Sequence, residues 1–264
     1  MEFLAAIATG LVAVAGLPGI VVDRMATDFL KQQLAKVEIL EVRVDNTPNH
    51  QILAGRVDRL RVAARGVYPL LFLRIDTLEL ETDPIEIDTD ALVRGPVRFR
   101  QPLRAAVRAV LQDEDLNRAL RSPEILAAFP TVEANLAGHR GGGRYQLTAP
   151  ELRFLGENRV RVSAVLTSEA GGATLPVAVE SGLALQGGTR LALVEPRVSL
   201  AGEPLPSQLV AAFARGLNRT LDLRALEPQG LTVRMLQFQI EPGRLQLVGF
   251  AQWQLPGGQQ AIAP

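Results

Sequence analysis

The sequence predicts an α+β fold built mainly on antiparallel sheet. Two patterns point there: apolar residues recur at every second position over most of the chain, and this period gives way to threes and fours in a few intervening segments. A third observation is compositional. Hydrophobic residues make up 47% and aromatics only 5%, so the interior must be built from Leu, Val, Ile and Ala. A chain of 264 residues can bury a substantial core. The expected organisation is an apolar segment over 1–22, one domain over 23–255 and a flexible tail over 256–264.

The chain opens with FLAAIATGLVAVAGLPGIVV, residues 3–22, without a charge. As a helix this stretch would reach roughly 30 Å, the thickness of a bilayer's hydrocarbon layer. Its Phe, Leu, Ile and Val residues would favour insertion by roughly 3 to 6 kcal/mol at most. Gly16, Pro18 and Gly19 break or kink a helix there. Met1-Glu2 lacks the basic start of an export signal, while Ala13-Val14-Ala15 offers a small-residue cleavage pattern. Three readings stand: a helix on or in a membrane surface, an anchor, and a cleaved signal. The first is preferred. Next, Val22, Met25, Phe29, Leu30, Leu34 and Val37 recur at helical spacing, with Arg24, Asp28, Lys31 and Lys36 on the other face. This predicts an amphipathic helix whose apolar stripe needs a partner.

From EVRVD (41–45) the period is two. RVDRLRVAARGV follows a turn at Asn46-Thr47-Pro48-Asn49, and LELETDPIEIDTD spans 78–90. Each strand has a dry face and a wet one: Leu60 and Val62 oppose Arg59, Arg61 and Arg65; Leu78, Leu80, Ile85 and Ile87 oppose Glu79, Glu81, Glu86 and Asp88. Carboxylates are calcium ligands, but strict alternation spreads these along a solvated face. Cross-strand ion pairs with the neighbouring arginines are the expected outcome.

Residues 103–129 return to helical spacing through Leu103, Val107, Val110 and Leu111, then Leu116, Leu120, Ile125 and Leu126. Asp113 or Asp115 is the expected cap of the second helix. Strand patterns resume in RYQLTAPELRFL, RVRVSAVLTSE, TLPVAVESGLALQ and TRLALVEPRVSL. In PSQLVAAFARGLNRTL, Leu209, Val210, Phe213, Leu217 and Leu221 share one helical side. A hairpin closes the chain, LTVRMLQFQI and LQLVGFAQWQL joined through Glu241-Pro242-Gly243-Arg244.

Several function classes are disfavoured. Lys plus Arg equals Asp plus Glu at 28 each, so the electrostatic footprint of a nucleic-acid binder is missing. There is no Cys, which excludes disulfides, thiolate metal sites and thiol catalysis. His50 and His139 belong to no metal-ligand spacing. Gly141-Gly142-Gly143 precedes a strand pattern and no Lys, so phosphate-loop mechanics fail. No Ser occupies a GxSxG elbow. No catalytic residue, metal site or cofactor is expected, and the chain reads as a non-enzyme.

The segments LPGIVVDRMATDFLKQQL, VEILEVRVDNTPNHQILAGRVDRLRVAARGV, LRIDTLELETDPIEID and VLQDEDLNRAL resemble the LmeA-like family of bacterial phospholipid-binding proteins. The likeness is strongest over 17–121 and extends more diffusely to about 255. It implies a strongly curved antiparallel β-sheet wrapped around long amphipathic helices, similar to tubular lipid-binding folds. It also implies a membrane-associated protein of the bacterial cell envelope, on the periplasmic side or the inner-membrane face, with phospholipid and a membrane surface as partners and no catalytic role.

The residues lead toward the same function. A sheet with one aliphatic face that curls around helices without filling the space leaves an apolar groove. Sheltering a dozen acyl carbons contributes roughly 10 kcal/mol. The candidate lipid-binding residues are Val42, Val44, Val57, Leu60, Val62, Leu78, Leu80, Phe213, Leu217, Val233 and Met235, some of which serve as ordinary core. The competing reading is an envelope scaffold or adaptor with a fully packed core, no lipid, and a protein partner unknown from sequence.

Overall fold

A computed structural model describes residues 27–28, 31, 34–46, 55–86, 99–128, 132–134, 143–169, 174–220 and 222–254. The expected apolar segment 1–22 and the tail 256–264 lie outside the described residues, as do His50 and His139. The chain divides into two compact units: unit 1 holds Met1–Val110, Leu223–Gln237 and Gln246–Pro264, and unit 2 holds Leu111–Asp222 and Phe238–Leu245.

The strands lying wholly or mostly in unit 1 are β1 (Lys36–Asp45), β3 (Arg59–Leu70), β4 (Leu73–Thr82), β6 (Leu103–Gln112), β13 (Leu231–Glu241) and β14 (Arg244–Trp253), in the sheet order β1-β3-β4-β6-β14-β13. The short pair β2 (Arg56–Val57) and β5 (Ile85–Glu86) stands beside them. Alternation decides the faces. Along β3, Leu60, Val62 and Ala64 are buried while Arg59, Arg61 and Arg65 are exposed. The expected cross-strand ion pairs are present: Arg61 is registered opposite Glu81 and bridges it at 3.5 Å, Arg59 reaches the same carboxylate at 3.2 Å, and Arg56 lies 3.8 Å from Glu86.

Unit 2 is organised by β7 (Val132–Ala134), β8 (Gly143–Gly156), β9 (Arg159–Ser168), β10 (Thr174–Gln186), β11 (Arg190–Leu200) and β12 (Glu203–Pro204), in the order β12-β11-β10-β9-β8-β7. Helices α1 (Asp113–Leu120), α2 (Pro123–Ala128) and α3 (Ser207–Thr220) accompany it. Helix α1 packs on β8, and α3 packs on β11.

The antiparallel sheets are as expected; the long helices are not. The three helices of unit 2 have 8, 6 and 14 residues, so no long amphipathic helix is found among the described residues. The helical spacing of 103–111 is overridden, because β6 finds a partner in β4. Leu103 and Ala105 turn inward and Arg104 and Ala106 outward, a period-two reading equally present in those residues. Most of the helix expected over 22–37 lies outside the described residues. Thr27, Asp28 and Lys31 are helical, but β1 already begins at Lys36. On α3, Val210 is buried while Leu209 is 57% exposed, so the two do not share a face.

The EDLN segment has a mechanical role. Neither Asp113 nor Asp115 caps α1: its N-cap residue is Gln112, with no side-chain bond. Asp113 instead accepts the Phe154 N–H at 3.4 Å, and Asp115 is buried with Arg118 at 2.9 Å. Asn117 donates to the Leu152 carbonyl and accepts the Leu152 N–H, both at 2.7 Å. Gly243 N–H donates to the Phe154 carbonyl at 3.1 Å. Leu152 and Phe154 expose these groups on one edge of β8, where β7 is only three residues long, so α1 completes the edge. Asn117→Asp removes the donor and sets a carboxylate against a carbonyl. It should destabilise unit 2 by about 2 to 4 kcal/mol, read as a lower urea midpoint with unchanged slope.

At the far end of β3, Gly66 adopts φ +57, and a Cβ there would lie 2.1 Å from the Glu38 carboxyl carbon. That space lets Glu38 cross to Arg74, which grips it through Nε at 3.2 Å and Nη2 at 3.1 Å. The Arg74 hydrogen bonds, aided by the charges of Arg74 and Lys36, hold the Glu38 carboxyl below the usual glutamate range. A depressed carboxyl stabilises the fold above the ordinary glutamate range, and the contribution is lost as pH falls through the lowered value. In an NMR titration Glu38 should titrate below a reference glutamate, and Arg74→Ala should return it toward that reference. Gly66→Ala should lower stability by about 1 to 3 kcal/mol in thermal melts.

Candidate functional site

The dry face of the unit 1 sheet gathers many of the expected residues. Val42, Val57, Leu60, Val62 and Leu80 form one core cluster with Ile85, Leu103, Ala105 and Trp253, and Val44 packs against it. Leu78 belongs to a neighbouring cluster around Leu34, Ala64 and Val67. Leu231 also packs on the first cluster. Val233 and Met235, two and four residues further along β13, share its face by strand alternation and are half-buried. Phe213 and Leu217 belong to α3 in unit 2, and their side chains lie outside the described residues.

Packing is not uniform across this face. Leu60 is 1% exposed and Val57 2%, and their close neighbours Val62 and Leu80 are buried with them, so the centre is closed. Toward β13, Leu231, Val233 and Met235 are covered only in part. Beside them Trp253 is 5% exposed, and its indole N–H has no hydrogen-bond partner among the described residues. An indole buried without an acceptor carries a desolvation cost. Sequence reasoning passed over Trp253, although a sole Trp in a closing strand was the available signal.

The opposite face carries an open groove of about 1050 Å³ within unit 1. Strand alternation gives it the side chains of Glu41, Arg43, Asp45, Arg61, Glu79, Glu81 and Arg108, with the small Ala63 and Ala106 between them, and the lining also takes in the candidate residues Val42, Val44, Val62 and Leu80 together with Val107 and Val248. Arg43 pairs with Asp45 at 2.8 Å, Arg61 with Asp45 at 3.3 Å and Arg108 with Glu79 at 3.1 Å. The groove is therefore charged and nearly self-neutralised. Among the described residues no group of three or more metal-ligating side chains comes together. No described helix is long and apolar enough to cross a membrane.

A family model for LmeA-like phospholipid-binding proteins matches residues 12–250. The chain belongs to the LmeA-like phospholipid-binding family. No curated protein and no solved structure matches it. For this LmeA-like chain the family description is one of binding rather than catalysis, in keeping with the non-enzyme reading of the residues.

The groove's ion pairs are partly exposed and so individually weak. Arg61→Leu in this LmeA-like protein should cost no more than about 1 kcal/mol at low salt. The difference from wild type should shrink when the melts are repeated in about 1 M salt.

Proposed function

We propose that this protein binds phospholipid without chemical change, sheltering acyl chain against the partly covered dry face of the unit 1 sheet near Leu231, Val233 and Met235. The observation that carries the reading is the family match over 12–250. It is supported by the incomplete packing of this side of the sheet and by the unpartnered indole N–H of Trp253, which an ester carbonyl of a lipid would satisfy. Val57, Leu60, Val62 and Leu80 then act as core that shapes the site, and Val44, Val233 and Met235 as lining. Carrying lipid between membranes of the bacterial cell envelope follows as the finer reading, because a bound chain kept from water at about 0.8 kcal/mol per methylene can leave one bilayer for another.

Organic extraction and mass spectrometry of the purified protein should find phospholipid at a fixed ratio to protein. The paired change Val233→Asp with Met235→Asp should remove most of that lipid, while circular dichroism stays that of a folded sheet protein. Leu60→Asp should unfold unit 1 instead, since it buries a charge at a position without solvent. Protein free of lipid that also fails to take up labelled phospholipid would sink the proposal.

The closed centre around Leu60 and the charged groove on the other face favour a second reading, an envelope adaptor that contacts a protein through the groove. It predicts a captured partner lost on reversing Arg61 and Glu81, and no bound lipid.

A further inference from the structure

The β3–β4 hairpin departs at its tip from the alternation of the strands it joins. At its tip the chain runs Pro69-Leu70-Leu71-Phe72-Leu73, five apolar residues in succession. Leu70 is 51% and Leu71 80% exposed. Leu70 is registered opposite Leu73, so Leu71 and Phe72 make the turn itself. Two-residue hairpin turns ordinarily use Asn, Asp or Gly, which accept both the geometry and water. Pro69, Leu70 and Leu71 are exposed and Phe72 and Leu73 half-buried, and apolar side chains held out in solvent at such a point mark a contact surface.

What surrounds the tip selects its occupant. The Lys36 ammonium sits 5.2 Å from the centre of the Tyr68 ring. Ala35 N–H donates to the Tyr68 carbonyl at 3.0 Å, fastening the preceding segment, with the exposed Lys31, to the hairpin. Lys31 and Lys36 are the only lysines in the chain. With Arg65 and Arg74 they outnumber the three carboxylates nearby, Asp28, Glu38 and Asp76, of which Arg74 already engages Glu38 at 3.1 Å and Asp76 at 3.2 Å. Exposed leucines projecting beyond a Tyr and a collar of surplus cations match the layering of an anionic bilayer, hydrocarbon below and phosphate above.

We infer that the Pro69–Leu73 tip enters the surface of an anionic phospholipid bilayer, with Leu70 and Leu71 at the acyl boundary and the lysines among the headgroups. The inference rests on the phospholipid-binding reading only in choosing a membrane over an apolar protein partner. The chain has no Cys, so Leu71→Cys in the full chain can carry an environment-sensitive fluorophore at one site. Gln186→Cys, at the exposed end of β10 in unit 2, is the control.

With vesicles of phosphatidylglycerol and phosphatidylcholine, the label at position 71 should shift to the blue and brighten severalfold, and lipids bearing a quencher on the acyl chain should dim it. The label at 186 should stay as in water. Vesicles of phosphatidylcholine alone, or high salt, should weaken the response. If the chain sediments with anionic vesicles while position 71 remains in water, or does not sediment at all, the inference fails. Mass spectrometry of bound lipid on the same preparations tells the two claims apart. Lipid-free protein whose tip enters vesicles keeps this inference and loses the proposed function; lipid-loaded protein whose tip stays in water does the reverse.

Discussion

Unit 1 depends on one constraint: the pairing of β3 with β1 and β4 in a single register. Val62 stands between Val42 and Leu80, and Arg61 between Arg43 and Glu81. A slip of one residue would turn every side chain of β3 over, placing Arg59 and Arg61 where Leu60 and Val62 now lie. Burying an unpaired guanidinium costs several kcal/mol, so the dry face rather than the ion pairs fixes the register. Thr82 adds a local lock: its hydroxyl, buried at the end of β4, accepts the Leu60 N–H at 3.0 Å. The exposed arginine–glutamate pairs follow from this arrangement and penalise the slipped one.

Unit 2 meets a different constraint, the satisfaction of strand edges. Where β7 stops, the side chains of Asn117 and Asp113 take the place of a strand by bonding successive edge groups of β8. On the neighbouring turn Asn158, at φ 56, accepts the Ile240 N–H at 2.7 Å. Asn117 and Asp113 thus do for the edge of β8 what a further strand would otherwise do. The residues that made EDLN a recognisable segment are structural ones, consistent with a motif that carries family resemblance and no chemistry.

The sheets were legible because their signal is local: Val42-Arg43-Val44 and Leu60-Arg61-Val62 state their faces within three residues. The strand β6 was harder. LRAAVRAVLQ satisfies both periods, and only the existence of β4 as a partner decides between them, which no window of the sequence contains. The long helices were expected both from helical spacing, as over 22–37 and 103–129, and from the resemblance, and the described helices are short. Of the candidate site, the sequence named Val42, Leu60 and Val62 by alternation but could not distinguish a residue 1% exposed from a half-covered one such as Val233. That difference is set by what lies across the face. Trp253 was passed over because an N–H without a partner among the described residues is defined in space and not in sequence.

The charged groove bears on where lipid can go. Hydrocarbon laid over its charged side chains would cover Arg61, Glu81, Glu79 and Arg108. Stripping water from each ion costs several kcal/mol, against about 0.8 kcal/mol gained per methylene, so roughly five methylenes would be needed to offset one ion. The pairs at 3.1 to 3.5 Å are stable as they are because water still reaches them. On the proposed function, this cost disfavours hydrocarbon over the charged side chains and favours the aliphatic surface that β13 leaves half-covered. The alternation that fixes the register of unit 1 also assigns its faces: arginines and carboxylates with water on one, and on the other the aliphatic residues against which the proposed acyl chain would lie.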